Sequence, residues 1–423
     1  MSQEEPSPAA AAEPLHLFDA LGIEIEYMLV DRETLAVKPE TDRVLAKLAG
    51  EVVSEVETGE LAWSNELVLH VIELKTNGPT SDVDGLLPAF ERDVRRINAI
   101  LEPMGGRLMP TAMHPWMDPA AETRLWPHEH SPIYAALDRI FGCQGHGWSN
   151  LQALHLNLPF AGDEEFGRLH AAIRLVLPLL PALAASSPIV EGRFTHSLDN
   201  RLEFYRGNSR KIPSICGAVV PEPVFTRHDY ERRIFEPMYR DVAPHDPEGV
   251  LADEFLNARG AIPRFGRGSI EIRVIDVQEC PRADLAIAVA VEGVVKLLAE
   301  ERWCSLEDQQ SWGVEPLAVI FRRTVAQADQ AVIHDRDYLE ALGVTDHAAM
   351  RAGELWRHLV AEDWMGFAAP DETWRDTLEQ MLDLGPLARR IRGALGPEPE
   401  REELHEVYAR LCDCLQEGVL FDV

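Results

Sequence analysis

The chain has little basic charge for its length. Its 423 residues include 40 Lys and Arg against 71 Asp and Glu, which gives a formal net charge of −31. This balance argues against a nucleic-acid partner or an anionic membrane surface, because both require clusters of cationic side chains. The longest apolar run starts at Leu285, is interrupted by Glu292 and Lys296, and is too short to cross a bilayer. We therefore expect a soluble protein that acts on small molecules.

Cysteine is sparse and badly spaced for a metal site. The six cysteines stand at positions 143, 216, 280, 304, 412 and 414. Only Cys412 and Cys414 are close together, and residues two apart in a helix diverge, so we expect isolated thiols. Residues 1–14 are acidic and lack the basic and apolar parts of a signal peptide. They predict a disordered tail and, with the unpaired cysteines, a cytoplasmic location.

The two common glycine-rich phosphate cradles are missing as well. The sequence contains no G-x-x-x-x-G-K-[ST] loop, and no G-x-G-x-x-G follows a predicted strand. If a nucleotide binds, carboxylate-held cations and arginines must hold its phosphates.

What the sequence does contain is glutamate within strand-like segments. These residues are Glu24 and Glu26 in GIEIEYMLV, Glu66 and Glu73 in NELVLHVIEL, and Glu271 in GSIEIRVIDV. An unpaired carboxylate removed from water costs on the order of several kcal/mol, so glutamates that face inward need cations. We favour a metal site built on a sheet. The alternative is the ordinary solvent-facing alternation of an antiparallel sheet.

Alternate residues of a strand share a face, and this rule collects the polar residues of three predicted strands. They are Glu24 and Glu26 in the first strand, His155 and Asn157 in the second, and Ser269, Glu271 and Arg273 in the third. Glu66 and Glu73 would face opposite ways in a regular strand, so either a bulge intervenes or Glu66 precedes the strand. Carboxylates suit Mg²⁺ or Mn²⁺, and both ions tolerate an imidazole. Clustered cations beside an arginine indicate a nucleotide polyphosphate.

An arginine-bearing segment at residues 191–214 is a candidate anion-binding patch. Its basic residues are Arg193, Arg201, Arg206, Arg210 and Lys211, against three acidic residues. The alternative is a solvated basic face or a set of local ion pairs.

The remaining pattern predicts the organisation of the chain. Residues 107–148 lack periodicity and are predicted to form a long functional loop. Residues 163–186 form a helical run that its two prolines must kink or break. We expect a catalytic domain at residues 15–303 and a helical C-terminal region at residues 304–423 that packs on it.

Six segments together resemble the plant-type and bacterial glutamate–cysteine ligases and their carboxylate–amine ligase relatives. In order they are GIEIEYMLVD, NELVLHVIELKT, TAMHPW, LHLNLPF, LAASSPIVEGR and RFGRGSIEIRVIDVQ, between about Gly22 and Pro281. The resemblance implies an α+β fold of the glutamine-synthetase type. In that fold a curved, mostly antiparallel sheet forms a funnel, with helices packed behind it.

The resemblance also implies an activity and its residues. The family uses ATP and Mg²⁺, with Mn²⁺ as a substitute, to join the γ-carboxylate of glutamate to cysteine through γ-glutamyl phosphate, a step of glutathione biosynthesis. The implied metal ligands are Glu24, Glu26, Glu66, Glu73, His155 and Glu271. Glu271 and Arg273 become catalytic residues, with Arg273 on the transferred phosphate. The implied contacts to the charges of ATP and glutamate are Arg193, Arg201, Arg206 and Arg210.

Several alternatives stay open. The acceptor can be an amine other than cysteine. A metal-dependent amide hydrolase would use a bridging hydroxide and no ATP, and a non-catalytic relative would only bind its ligands. Release of ADP on adding glutamate separates a ligase from a hydrolase. Arg273 can instead be a structural partner that neutralises Glu271, since both lie on one face of a strand.

Overall fold

An eight-stranded antiparallel sheet organises the chain, as seen in a computed structural model that describes residues 14–366 and 372–422. Apart from Pro14, the predicted tail at residues 1–14 lies outside the described residues. The strands are β1 (Gly22–Asp31), β2 (Glu55–Glu57), β3 (Leu61–Asn65), β4 (Val71–Thr76), β5 (Gly106–Met109), β6 (Ala153–Pro159), β7 (Ile189–Val190), β8 (Arg193–Phe194), β9 (Ala261–Arg264), β10 (Ser269–Asp276), β11 (Val332–Ile333) and β12 (Met350–Arg351). The large sheet has the order β2-β3-β4-β1-β6-β10-β9, and β5 pairs with β1.

Two-residue alternation gives this sheet an apolar back and a polar front. On β1, Ile23, Ile25 and Tyr27 are fully buried. On β6, the leucines at 154, 156 and 158 are fully buried, whereas His155 and Asn157 between them are half-buried. The predicted alternation is confirmed for these strands.

Helices cover the apolar back of the sheet and make up most of the C-terminal region. They are α1 (Thr41–Ala49), α2 (Val83–Leu101), α3 (Pro119–Glu122), α4 (Ser131–Phe141), α5 (His146–Ser149), α6 (Gly162–Val176), α7 (Leu180–Ala184), α8 (Asn200–Asn208), α9 (Arg227–Tyr230), α10 (Glu236–Val242), α11 (Pro281–Ala299), α12 (Leu306–Ser311), α13 (Val314–Gln327), α14 (Arg336–Ala341), α15 (Ala352–Gly366), α16 (Glu372–Leu384), α17 (Leu387–Ala394) and α18 (Arg401–Glu417). The central helix α11 contacts α2, α6, α15 and α16, and α18 packs on α2 and β5.

The architecture is therefore α+β with a mostly antiparallel sheet, as the family resemblance implied, and the C-terminal region is helical, as the sequence pattern predicted. Pro178 and Pro181 end α6 at Val176 and restart the chain as α7, which confirms the predicted break. The expectation of a long loop at residues 107–148 is wrong in part, because this stretch contains α3, α4 and α5. Such short helices depend on tertiary packing, which periodicity does not reveal.

By length and composition, Gly162–Ala184 could cross a membrane, but 94% of an 18-residue apolar stretch within it is buried inside the protein, as in a core helix. At the C-terminus, Phe421 is 1% exposed and its carbonyl accepts a 2.9 Å hydrogen bond from Arg390. Arg390 also pairs with the fully buried Glu279, just beyond β10. This contact ties the C-terminus to the strand that carries Glu271.

Candidate functional site

The polar front of the sheet forms the floor of a pocket of about 1180 Å³. The walls come from α4, α5, α8 and the β9–β10 turn. All six predicted metal ligands line this pocket: Glu24, Glu26, Glu66, Glu73, His155 and Glu271. The structure therefore brings together residues that lie up to about 250 positions apart in the sequence.

Strand register explains why these side chains meet. Glu24 on β1 lies opposite Lys75 on β4 and opposite His155 on β6. Glu26 lies opposite Glu73 on β4. Directly opposite residues of an antiparallel pair have Cβ atoms about 4.5–5.5 Å apart, so each pair shares one small volume.

Contacts between β1 and β6 fix one half of the cluster. His155 Nδ1 lies 3.1 Å from Glu24 Oε2, and His155 Nε2 lies 3.9 Å from Glu26 Oε1. The Asn157 amide donates to Glu24 Oε1 at 3.1 Å. The Ala153 backbone N–H donates to Glu26 Oε2 at 2.8 Å. Each carboxylate is thus oriented by a neighbouring donor.

Glu66 and Glu73 form the other half. β3 ends at Asn65 and β4 starts at Val71, so Glu66 lies in the connection before its strand, which was one of the two sequence alternatives. The Ser64 hydroxyl donates to Glu73 Oε1 at 2.7 Å, and Lys75 Nζ lies 3.4 Å from the same oxygen.

Two groups of potential ligand atoms share Glu73. One group consists of Glu24, Glu73 and His155, and the other of Glu26, Glu66 and Glu73. Within each group one ligand atom from every residue lies within 4.8 Å of the others. Two hard divalent cations fit this donor set of carboxylate oxygens and one imidazole. Glu271 lines the same pocket but belongs to neither group.

The electrostatics of the cluster show excess negative charge. Burial and then the charges of Glu26, Glu73 and Glu24 raise the pKa of Glu66 well above its usual value. Burial and then the charge of Glu24 raise the pKa of Glu73 to about 7. Burial also disfavours the ionised form of Glu24, but its hydrogen bond to His155 and the imidazole charge lower its pKa to about 2. Such a cluster favours bound cations.

Arg273 pairs with Glu271. Its Nε donates to Glu271 Oε1 at 3.1 Å, and Arg264 Nε lies 3.7 Å from Glu271 Oε2. Burial raises the pKa of the Glu271 carboxyl, but the charges of Arg273, His155 and Arg264 together outweigh burial and lower it. The register between β6 and β10 shifts between Ile272 and Ile275, so a bulge sits at Arg273, as is common beside active sites.

The arginines of the 191–214 segment separate in space. Arg201 lines the pocket, is 2% exposed and donates to Asp276 Oδ1 at 2.5 Å. Its Nη2 is buried and finds no hydrogen-bond partner among the described residues. Arg193, Arg206 and Arg210 do not line this pocket. Arg206 pairs with Glu203, as the local ion-pair alternative predicted, whereas Arg210 Nε donates to the Gly207 carbonyl in α8 at 3.1 Å.

Sequence reasoning missed other cations of the pocket. Lys75 lies two residues after Glu73 on β4, and Arg264 and Arg267 belong to the RFGRG segment that joins β9 to β10. The signal was present in the sequence, because this turn leads straight into the strand with Glu271.

Comparison with known proteins agrees with the geometry. A family model described as glutamate–cysteine ligase family 2 matches residues 20–392. An uncharacterised protein of Archaeoglobus fulgidus is 34% identical over 281 residues, which cover 66% of this chain and 75% of that protein. A protein of Rubrobacter xylanophilus, whose inferred name is glutamate–cysteine ligase 2-3, is 33% identical over 270 residues. These residues cover 63% of this chain and 66% of that protein.

One solved structure shares the fold at low sequence identity. It is the glutamate–cysteine ligase of Francisella tularensis in complex with AMP, with a TM-score of 0.56 and 13% identity. The match covers 94% of this chain and 89% of that one.

Proposed function

The chain belongs to the glutamate–cysteine ligase family 2, whose members are ATP-dependent carboxylate–amine ligases, and from that premise we propose that it joins the γ-carboxylate of glutamate to an amine through γ-glutamyl phosphate. Cysteine is the reference acceptor, because relatives carry the name glutamate–cysteine ligase. The observation that carries the proposal is the pair of ligand groups that share Glu73 on the pocket floor.

The proposed reaction has two balanced steps. An oxygen of the γ-carboxylate attacks the terminal phosphorus of ATP, the bond between that phosphorus and the bridging oxygen breaks, and ADP leaves with the electron pair. The amine nitrogen then attacks the acyl carbon of γ-glutamyl phosphate, and the C–O bond to phosphate breaks. Of the two protons lost by the ammonium group, one goes to phosphate and one to solvent.

The residues present fit divalent cations. One ion would be held by Glu24, Glu73 and His155, and a second by Glu26, Glu66 and Glu73. Bound there, such ions would neutralise charge on the phosphoryl oxygens and lower the barrier to transfer.

The chain's own cations position the substrates. Arg273 lies on the floor beside Glu271 and can present its remaining N–H groups to the transferred phosphate. Arg201 offers its unpartnered Nη2 to a substrate carboxylate, and the α-carboxylate of glutamate is the group that needs it. Asn157 and Ala153 hold Glu24 and Glu26 in place, so the metal ligands are oriented before substrates arrive.

The test follows glutamate activation directly. Purified protein with ATP, Mg²⁺, glutamate and hydroxylamine should yield γ-glutamyl hydroxamate and ADP in equal amounts. Glu24→Gln should abolish this product, because the amide keeps the shape but removes the charge that binds the cation. AMP and pyrophosphate as products, or full activity in excess chelator, would reject the proposal.

A further inference from the structure

One wall of the pocket is apolar although the floor is acidic. Helix α4 has two apolar faces: Ala136 and Ile140 are buried in the core, whereas the residues on its other side face the pocket. We define the α4–α5 wall as the half-buried, pocket-lining residues Ile133, Tyr134, Leu137, Phe141, Trp148 and Leu151. The Phe141 and Trp148 rings stack with centroids 5.3 Å apart and planes 23° apart. The wall is therefore a firm apolar surface that stays open to a ligand.

This wall stands beside the metal-ligand cluster. Asn65, the last residue of β3, donates from its side-chain amide to the Tyr134 hydroxyl at 3.1 Å. Glu66 follows Asn65 directly and belongs to the group that it forms with Glu26 and Glu73. A molecule lying along the wall would therefore reach the cluster with one end.

The cations of the pocket lie elsewhere or are already paired. Arg264 and Arg267 belong to the β9–β10 edge, and four strands separate β9 from β3 in the sheet. Lys75 Nζ lies 2.7 Å from Glu55 and also contacts Glu73. These two carboxylates already neutralise the charge of Lys75.

Two arginines remain, and neither serves the wall. Arg273 is bound to Glu271 on the floor. Arg201 has one unpartnered nitrogen, which can bind a single carboxylate, and glutamate already supplies one. Among the described pocket-lining residues, no Lys or Arg is left for a second substrate carboxylate at the wall. A buried carboxylate without a partner costs on the order of several kcal/mol, so an acceptor that carries one is disfavoured.

Resting on the proposed function, we propose that the acceptor is a primary amine with an apolar or aromatic body and no carboxylate. The body lies on the α4–α5 wall, and the nitrogen points toward the acyl carbon above the cluster. The ammonium form is attracted by the carboxylates of the floor before it loses its protons in the second step. An amino acid such as cysteine would meet the same wall with an uncompensated carboxylate.

Matched pairs of acceptors test this directly with the full chain. Phenethylamine is compared with phenylalanine, 3-methylbutylamine with leucine, and cysteamine with cysteine, with glutamate, ATP and Mg²⁺ held constant. Within each pair only the carboxylate differs. The decarboxylated member should show at least a tenfold higher kcat/KM for ADP release, and the aromatic amine should exceed cysteamine. Equal or better use of the amino acids overturns the inference.

Hydroxylamine separates this inference from the proposed function. It is small enough to trap γ-glutamyl phosphate without using the wall. If hydroxamate forms and none of the amines is ligated, the acceptor class is wrong and the ligase assignment stands. If no hydroxamate forms, the proposed function itself fails.

Variants on α4 test which substrate touches the wall. Leu137→Asn places an amide on the pocket face and should raise the KM for phenethylamine at least tenfold. The matched control is Ala135→Asn on the exposed side of the same helix. It should change neither the KM for phenethylamine nor the KM for ATP. A rise in the KM for ATP without a rise in the KM for the amine would place the adenine ring on the wall and overturn the inference. The matched acceptor pairs on unaltered protein remain decisive if Leu137→Asn does not fold.

Discussion

Replacing Glu73 by Gln should stabilise the metal-free protein while it abolishes catalysis. Glu73 is 6% exposed, and burial with the charge of Glu24 raises its pKa from 4.5 to about 7. At pH 8 the side chain is ionised in the folded and unfolded states, so at about 1.4 kcal/mol per unit the shift costs about 3 kcal/mol of stability. Gln removes the charge and keeps an oxygen that can accept the Ser64 hydrogen bond. Removing the charge therefore raises the free energy of unfolding by about 3 kcal/mol. With an unfolding entropy of about 2.1 cal/mol/K per residue, this gain raises Tm by about 3 °C.

Scanning calorimetry in chelator at pH 8 measures this gain, and pH and Mg²⁺ provide two internal checks. At pH 5 Glu73 is protonated in the folded state, so the gain should shrink to about 1 kcal/mol. With Mg²⁺ at a thousandfold its Kd the wild-type protein gains about 4 kcal/mol, and the order of the two melting temperatures should reverse. The variant lacks a ligand common to both groups and should gain little.

The matched control is Glu279→Gln. Glu279 is also a buried carboxylate, but it pairs with Arg390 instead of lining the pocket. Its neutralisation leaves a buried guanidinium without its partner and should lower Tm with or without Mg²⁺. A Glu73→Gln variant that melts below wild type in chelator at pH 8, or that keeps the wild-type stabilisation by Mg²⁺, would contradict a destabilising charge and a metal-ligand role at Glu73.

Three further predictions concern the pH dependence of stability, the role of Arg273 and the packing of Phe421. Neutralising both raised carboxyls, as Glu66→Gln with Glu73→Gln, should stabilise the metal-free protein more at pH 8 than at pH 5, because a carboxyl whose pKa is raised in the folded state costs stability as the pH rises; urea titrations of wild type and double variant at pH 5 and pH 8 measure the two gains, and a gain at pH 8 that is equal or smaller contradicts it. Arg273→Lys should lower kcat about a hundredfold with Tm nearly unchanged, because the lysine ammonium is a point charge and cannot replace the bidentate hydrogen bonds of a guanidinium to two phosphate oxygens. A near-normal kcat would show that Arg273 serves only as the ion-pair partner of Glu271. Phe421→Ala should lower the free energy of unfolding by about 3 kcal/mol or more, because a buried aromatic anchor is lost; an unchanged denaturation midpoint would show that the C-terminus does not support the fold.

The sequence predicted which residues share a strand face, because the period of a strand is local. GIEIEY places Glu24 and Glu26 together whatever the rest of the chain does. The sequence alone did not predict that Glu26 would lie opposite Glu73, because that pairing depends on the register between β1 and β4. The resemblance to a ligase family supplied this grouping, and the geometry then gave it a physical basis.

Other features depended on tertiary structure in ways that no local pattern records. Arg201, Arg206 and Arg210 stand in one segment and look alike in sequence. Only Arg201 reaches the pocket, because the helix and turn that carry them direct the other two elsewhere. The bulge at Arg273 and the pocket-facing side of α4 are likewise consequences of packing.

The charge of the pocket floor explains why cations and substrates should bind together. The proposed substrates ATP and glutamate are anions, and the floor presents five carboxylates to them, so each of them alone would meet repulsion. A divalent cation removes part of that repulsion, and by linkage each anion must then strengthen the binding of the cation by the same factor. The amine is the one substrate that the bare floor attracts. Its binding energy therefore has to come from a surface that does not compete for the cations, and the apolar α4–α5 wall is such a surface.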